Sequence, residues 1–574
     1  MLIFGARERS RPGPRRRALA GGTILVALTG VAAACSAITE GDEPTAGGTL
    51  YYLSDRLNFP LDQQGLYLAE DVAFTTAFLQ RTLTAYSYDA DPTAVELVSD
   101  LATDTGSPNG DATQWSFTLR DGLTFEDGSA LTCADVKFGV SRAFNPEFIL
   151  ANGLPRAVRL LDVPLGPDGN PAYAGPYAPD PGDVAAFDRA VSCSGDDRTV
   201  TFRLARPAGD FGHAVTALAF GPVPEDTPDG AGYGSAPLSS GPYRIDAASA
   251  ERLTLVRNDA WDRDTDPLRP AYPDRVEVEL GVEPVDLDER MRVDEGDDRA
   301  AVARASDPEA APAPLSSDDE DRLIAGQGLG VRYLAVNTTR VPLAEHRRAI
   351  AAAVDRAGLH EALGGDDAGA PAAGLLPPGI ASDEVASAGP ADPPAGDPEA
   401  ARALLDDAGE PMPPLSFAYL DTPENHAAAA VLQESLDAAG IALATVPLGP
   451  ADYYPAIQDP GSPHALMLGS WAPPWMDGST VADLLTPAGG PANLSRYDDP
   501  GFTADAEAAA GEIDDDARAA AWSELDARAV ADAVVVPLRF DRQRGLVGSQ
   551  VRGAMAWAPY GSLAFGALWL EPPE

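Results

Sequence analysis

Catalytic chemistry has few starting points in this chain of 574 residues. Its five histidines, His213, His346, His360, His426 and His464, are scattered, with no HExxH pair and no Cys/His cluster of zinc spacing. The single lysine, Lys137, sits in "DVKFG", which leaves no GxxxxGK[ST] loop to cradle a phosphate. No GxSxG turn presents a serine nucleophile. Carboxylates pose the opposite problem. Asp and Glu number 88, so any two could be named acid and base and the choice selects nothing. These residues point to a protein without chemistry of its own, without cofactor or metal; the enzymatic alternative is an exported hydrolase using a carboxylate pair in a cleft. Three cysteines remain. Cys133 and Cys193 form an even pair, which in an exported protein suggests one disulfide, the alternative being two buried free thiols.

Cys35 ends an apolar run, "LTGVAAACSA". Upstream lie Arg7, Arg9, Arg11, Arg15, Arg16 and Arg17, and the span from Ala18 to Ala34 carries no charge. That run is too short to be a typical membrane helix; its basic start and its small residues Ala32, Ala33 and Ala34 have the shape of a secretion signal. Residues 1–34 are therefore expected to be removed, leaving Cys35 first and residues 35–48 as a tether. The run resembles the lipobox of bacterial lipoproteins, in which that cysteine takes a lipid, although Ala32 stands where leucine is usual. An ordinary secretory signal is the alternative, and "RRRAL" leaves twin-arginine export open. The first 34 residues carry +5, so the rest of a chain of net charge −47 carries −52. Nucleic-acid binding draws on Lys and Arg to displace counterions, so this class is excluded, as is docking on anionic lipid by charge.

Some 540 mature residues exceed the size at which a single core keeps growing, so two or more domains are expected. "TQWSFTLRDGLTFEDGSALT" alternates Trp115, Phe117 and Leu119 on one face and turns at Asp121-Gly122 and Asp127-Gly128, which predicts a half-buried hairpin. A helix follows, with Thr132 and Asp135 at capping-box spacing. Past residue 284 the style changes to α/β alternation: strand "VRYLAVNT", helix "EHRRAIAAAVDRAGL", then helix "DPEAARALLDDAG" with Asp397 as cap, Pro398 in the first turn and Gly409 as stop. Strand "LSFAYL", a long helix and strand "IALATVPL" complete a sheet covered by helices.

In this order the motifs resemble the extracytoplasmic solute-binding proteins of ABC importers, the peptide- and nickel-binding family (solute-binding protein family 5). The resemblance rests on "WSFTLRDGLTFEDGSALTCADVKFGVSRAF" (115–144), then "SSGPYRI" with "LVRNDAW" (239–261), "LAVNTTRVPLAEHRRAIAAAVDRAGL" (334–359), "NLSRYDDPGF" (493–502) and "WSELDARAVADAVVVPL" (522–538). It implies an α/β, two-lobe periplasmic-binding-protein-like fold with two crossover hinge strands, placed near 276–284 and 534–544. Lobe one would then be 49–278 and 540–574, and lobe two 279–539. It further implies a monomer, anchored by lipid on the extracytoplasmic face of the membrane, which encloses a peptide or peptide-like solute and passes it to an ABC permease and ATPase; a ligand sensor without a transporter is another alternative. Main-chain pairing with the ligand is expected from Tyr67, Leu68, Ala69 and Glu70 and from Gly469, Ser470, Trp471 and Ala472. Trp471 would wall a pocket or, alternatively, be core. Relatives place an aspartate three residues after that tryptophan for the peptide α-amine, where this chain has Pro474. In "WAPPWMDGS", Trp475 joins the expected site, and Asp477 is either an ammonium receptor or a helix cap. Tyr243 and Trp261 are expected to pack, and Arg347 and Arg348 to face solvent rather than the cleft.

Overall fold

The computed structural model describes residues 43–572 apart from 58, 67, 92, 147–157, 167–168, 226, 228–232, 235, 304–320 and 383–392. The signal segment, Cys35, most of the tether and Tyr67 thus lie outside the described residues.

Alternation builds the first sheet. Leu50 and Tyr52 of Thr49–Leu53, Leu253 and Leu255 of Arg252–Arg257, and Val276 and Val278 of Arg275–Glu279 are buried. With Ala301–Ala303 and Tyr243–Ala248 these strands form five-stranded pairing, parallel on both sides of Thr49–Leu53 and antiparallel beyond Arg275–Glu279. Helix Ala69–Phe78 brings Phe74 and Phe78 to Tyr52, Tyr243 and Phe565, with ring centroids 5.3–6.2 Å apart. Tyr243 and Trp261 pack as expected: the Tyr243 hydroxyl donates to Pro273 O at 2.6 Å and the Trp261 indole to Asp266 at 3.1 Å.

A four-stranded antiparallel sheet adjoins it, in the order Ser107–Pro108, Gln114–Thr118, Thr199–Arg203, Val191–Cys193. Trp115, Phe117 and Leu119 do share a buried face. The expected hairpin does not form, however, because Gln114–Thr118 pairs with Thr199–Arg203, distant in sequence, and residues 120–131 close on themselves with one bridge, Thr124 to Ala130. The Asp127 side chain accepting from Ser129 N and hydroxyl tightens that loop. Helix Cys133–Arg142 starts with the expected capping box of Thr132 and Asp135. Its first residue is joined by a disulfide to Cys193 at the sheet edge.

The largest sheet has six strands, ordered Gly369–Pro371, Val535–Leu546, Leu323–Val336, Leu466–Trp471, Leu415–Leu420, Leu443–Leu448, with the last two pairings parallel and the others antiparallel. Leu334, Leu466, Leu468 and Val536 face helices Ala344–Ala353, Pro398–Ala408 and Pro423–Ala438 in one core. Met467, Val331 and Tyr333 face the other way, in a core that includes Trp522 and Leu525 of helix Asp515–Ala531. Asp397 caps its helix as the sequence predicts, accepting from Glu399 N and Ala400 N, and Gly409 ends it at φ 67°.

Two long strands of this sheet pair with each other. Leu323–Val336 and Val535–Leu546 run antiparallel from Leu323 opposite Leu546 to Ala335 opposite Val535, with irregularities at Gln327/Val331 and Arg332/Tyr333. Val547 bridges to Val302 at the edge of the first sheet. Val535–Leu546 lies where the second crossover was expected. Residues 276–284 instead complete the strand Arg275–Glu279 inside the first sheet and lead into helix Pro284–Val293, which packs Leu287 and Met291 on Leu53, Val282 and Ala301. The alternation of "VEVEL" is that of a sheet strand; the long strand that pairs with Val535–Leu546 is the glycine-bearing "LIAGQGLGVRYLAV".

Candidate ligand-binding cleft

The strand Leu466–Trp471 is paired along one edge by the crossover strand, with Gly469 opposite Tyr333, Ser470 opposite Arg332 and Trp471 opposite Val331. Along its other edge only Leu466 and Met467 pair, with Phe417 and Ala418. Among the described residues no strand covers that edge from Leu468 to Trp471, where the Tyr453 hydroxyl donates to Leu468 O. An unpaired strand edge offers main-chain donors and acceptors to an extended chain. Gly469 is fixed by packing: a Cβ there would stand 2.4 Å from Cζ of the buried Tyr333 ring. Burial raises the Tyr333 pKa, so its hydroxyl stays protonated. Ser470 and Ala472 are exposed and Trp471 is half-buried against the core.

Leu68 precedes helix Ala69–Phe78 as its N-cap, and Ala69 and Glu70 form its first turn. Ladder pairing was expected from this stretch; a helical turn cannot supply it from Ala69 and Glu70, and the acidic Glu70 and Asp71 suit the positive end of a helix. Glu70 accepts from the Tyr52 hydroxyl at 2.8 Å. With Ala303, Ile324, Gln543, Ala556 and Ser562 it lines a cavity of about 50 Å³ at the inner ends of the crossover strands.

Trp475 and Asp477 are brought together but turned into protein. Trp475 is 2% exposed and its indole N–H donates to Asp210 at 2.8 Å. Asp477 caps the short helix Gly478–Val481 by accepting from Ser479 N, and its other oxygen accepts from Arg518 Nε at 2.8 Å. Burial and the neighbouring Asp210 push its pKa up against the pull of Arg518. Of the two readings of Asp477, the cap is the one its contacts display. Arg347, expected in solvent, is buried and donates to the carbonyls of Val341, Pro342 and Asp532, whereas Arg348 reaches Ala531 O. Asp210, Tyr86, His213 and Arg518 around Trp475 escaped the sequence reading. Nothing in "AGDFGHA" or "DDARAAAW" separates them from surface residues. Among the described residues, the one group of His, Cys, Asp or Glu close enough for a metal is Cys133, Cys193 and Asp197, whose sulfurs are bonded to each other.

Two sheet-centred lobes, two connecting strands and an open strand edge beside them define a solute-binding protein of the two-lobe periplasmic class. Residues 96–493 match the model of the bacterial extracellular solute-binding proteins, family 5 (middle region), and the chain belongs to this family. No curated protein sequence matches it. Among solved structures it is similar to clavulanic acid biosynthesis oligopeptide binding protein 2, at 29% identity and TM-score 0.80 over 92% of this chain and 96% of that one. It also resembles the unliganded open form of MppA, a periplasmic murein tripeptide binding protein, at 18% identity and TM-score 0.69 over 92% and 99%. A third is the ABC transporter-associated periplasmic binding protein DppA from Helicobacter pylori in complex with peptide STSA, at 18% identity and TM-score 0.65 over 92% and 99%. Among the described residues no helix is long and apolar enough to cross a membrane.

Proposed function

We propose that this chain is the receptor of an ABC importer: it encloses a peptide or peptide-like solute between its lobes, alters no bond in it, and delivers it to a permease and ATPase. The observation that carries this reading is the edge of Gly469–Trp471 beside the crossover strands, which no strand pairs among the described residues and which suits strand addition by an extended ligand. The peptides named for the similar structures support it. In this reading lobe one comprises residues 49–303 and 547–572 and lobe two residues 323–546. The protein acts as a monomer held at the extracytoplasmic face of the membrane by a lipid on Cys35. Asp477 is committed to Arg518 and its helix, and Pro474 carries no charge. A buried ammonium without a partner is costly, so the ligand is read through its main chain, and a blocked or cyclic peptide fits better than a peptide recognised by its free N-terminus.

Thermal unfolding with free and N-acetylated tetrapeptide libraries tests this. A ligand that binds only the folded state raises the melting temperature, and Trp471→Ala is expected to abolish most of the rise. An equal rise in the variant removes Trp471 from the site; no rise with either library in the wild type removes the peptide reading.

A further inference from the structure

Beyond the cleft strand, the chain is fastened to the first lobe by a carboxylate. Asp210 stands at the start of helix Phe211–Ala214 but makes no side-chain cap to it. Its Oδ2 instead accepts from Trp475 Nε1 at 2.8 Å and from the Ser479 hydroxyl. Beside these, Met476 N donates to the Tyr86 hydroxyl at 2.9 Å and Gly209 N to Ala510 O at 2.7 Å. Asp210, Trp475 and Ser479 are 3%, 2% and 5% exposed. Arg518 pairs with Asp477 at 2.8 Å, and the charges of Asp477 and Asp210 raise its pKa against the effect of burial. In the lobe division proposed above, Trp475, Ser479 and Arg518 belong to lobe two and Asp210 and Tyr86 to lobe one, and Tyr86, Phe211, Trp475 and Trp522 share one buried core across the contact.

We propose that Asp210 is a closure latch, a positioning residue whose bonds to Trp475 and Ser479 hold the two lobes together without touching the solute. This rests on the reading of the chain as a two-lobe binder. Opening would exchange both bonds for water and draw Asp210 away from Arg518. Hydrogen bonds to a charged group keep more net strength in that exchange than neutral ones do. The latch therefore biases the empty protein toward the closed state, and a solute that prefers the closed state is held longer.

Small-angle X-ray scattering of the purified, ligand-free protein reads this directly. Asp210→Asn, Ser479→Ala and Trp475→Phe, which removes the indole N–H together with part of the ring, are each expected to raise the open-to-closed ratio about ten-fold and enlarge the radius of gyration. Circular dichroism should stay at the wild-type spectrum. A lowered melting temperature with an unchanged radius in all three variants marks a purely structural role and overturns the latch, as does a wild type that is already open. Because no ligand is present, a variant-dependent radius in a protein that binds no peptide supports the latch and counts against the peptide reading alone.

Discussion

Asp526 shows how a single buried group sets a pH response. It is 0% exposed, accepts from Leu375 N and Leu376 N, and burial raises its pKa to about 6 despite those bonds. In the unfolded chain an aspartate titrates near 3.9. Between those values the folded protein holds a proton that the unfolded chain has released, so Asp526 lowers stability as pH rises through roughly 4 to 6, by about 3 kcal/mol in all. Asp526→Asn removes this titration and keeps an oxygen for the two amides. Its stability relative to wild type, from urea unfolding at pH 4.5 and pH 7.5, should be more favourable at the higher pH; a difference independent of pH would mean that Asp526 is ionised throughout. Neither Asp526 nor Asp210 could be singled out in a sequence with 88 acidic residues, because burial and partners brought from distant segments distinguish them.

Helices and strands were legible where local chemistry decides them. The Thr132/Asp135 box and the Asp397 cap read directly because their partners lie within three residues, and "ALMLGSW" announced the strand beside the cleft. Pairing was less legible: the strand Gln114–Thr118 was recognisable, but its partner Thr199–Arg203 lies across a long insertion. The strand Leu323–Val336 was legible only from Val331 onward, because Gly326, Gly328 and Gly330 remove side chains that carry an alternating pattern; a Cβ at Gly330 would stand 2.2 Å from Asp541 Oδ2. The disulfide acts at this level too. It joins residues 60 apart, Cys133 at a helix start and Cys193 on an edge strand. Closing a loop of that length restricts the unfolded chain by about 4 kcal/mol. Cys133→Ser with Cys193→Ser is therefore expected to lower the urea midpoint read by circular dichroism, and a midpoint equal to wild type would show that the capping box and sheet hold this corner unaided.

Charge governs the molecule as a whole. Asp and Glu outnumber Lys and Arg by 88 to 41, and net charge is −47. Repulsion of this kind opposes the compact state, and its range is set by salt: the Debye length is about 30 Å at 0.01 M and about 3 Å at 1 M. The inner charges behave differently. Arg81 and Arg269 contact Asp100 at 2.8 Å with side chains no more than 2% exposed, and they hold its pKa down to about 2. Buried pairs are screened much less than surface charges, so added salt removes the surface repulsion while leaving this cluster in place. The melting temperature should therefore rise steadily between 0.01 M and 1 M sodium chloride. A solute read through its main chain should lose little affinity over the same range, since its bonds carry no net charge. Scanning calorimetry with and without tetrapeptide separates the two effects. A melting temperature that falls with salt would mean that surface ion pairs such as Arg528 with Asp499 and Asp505 outweigh the excess of negative charge.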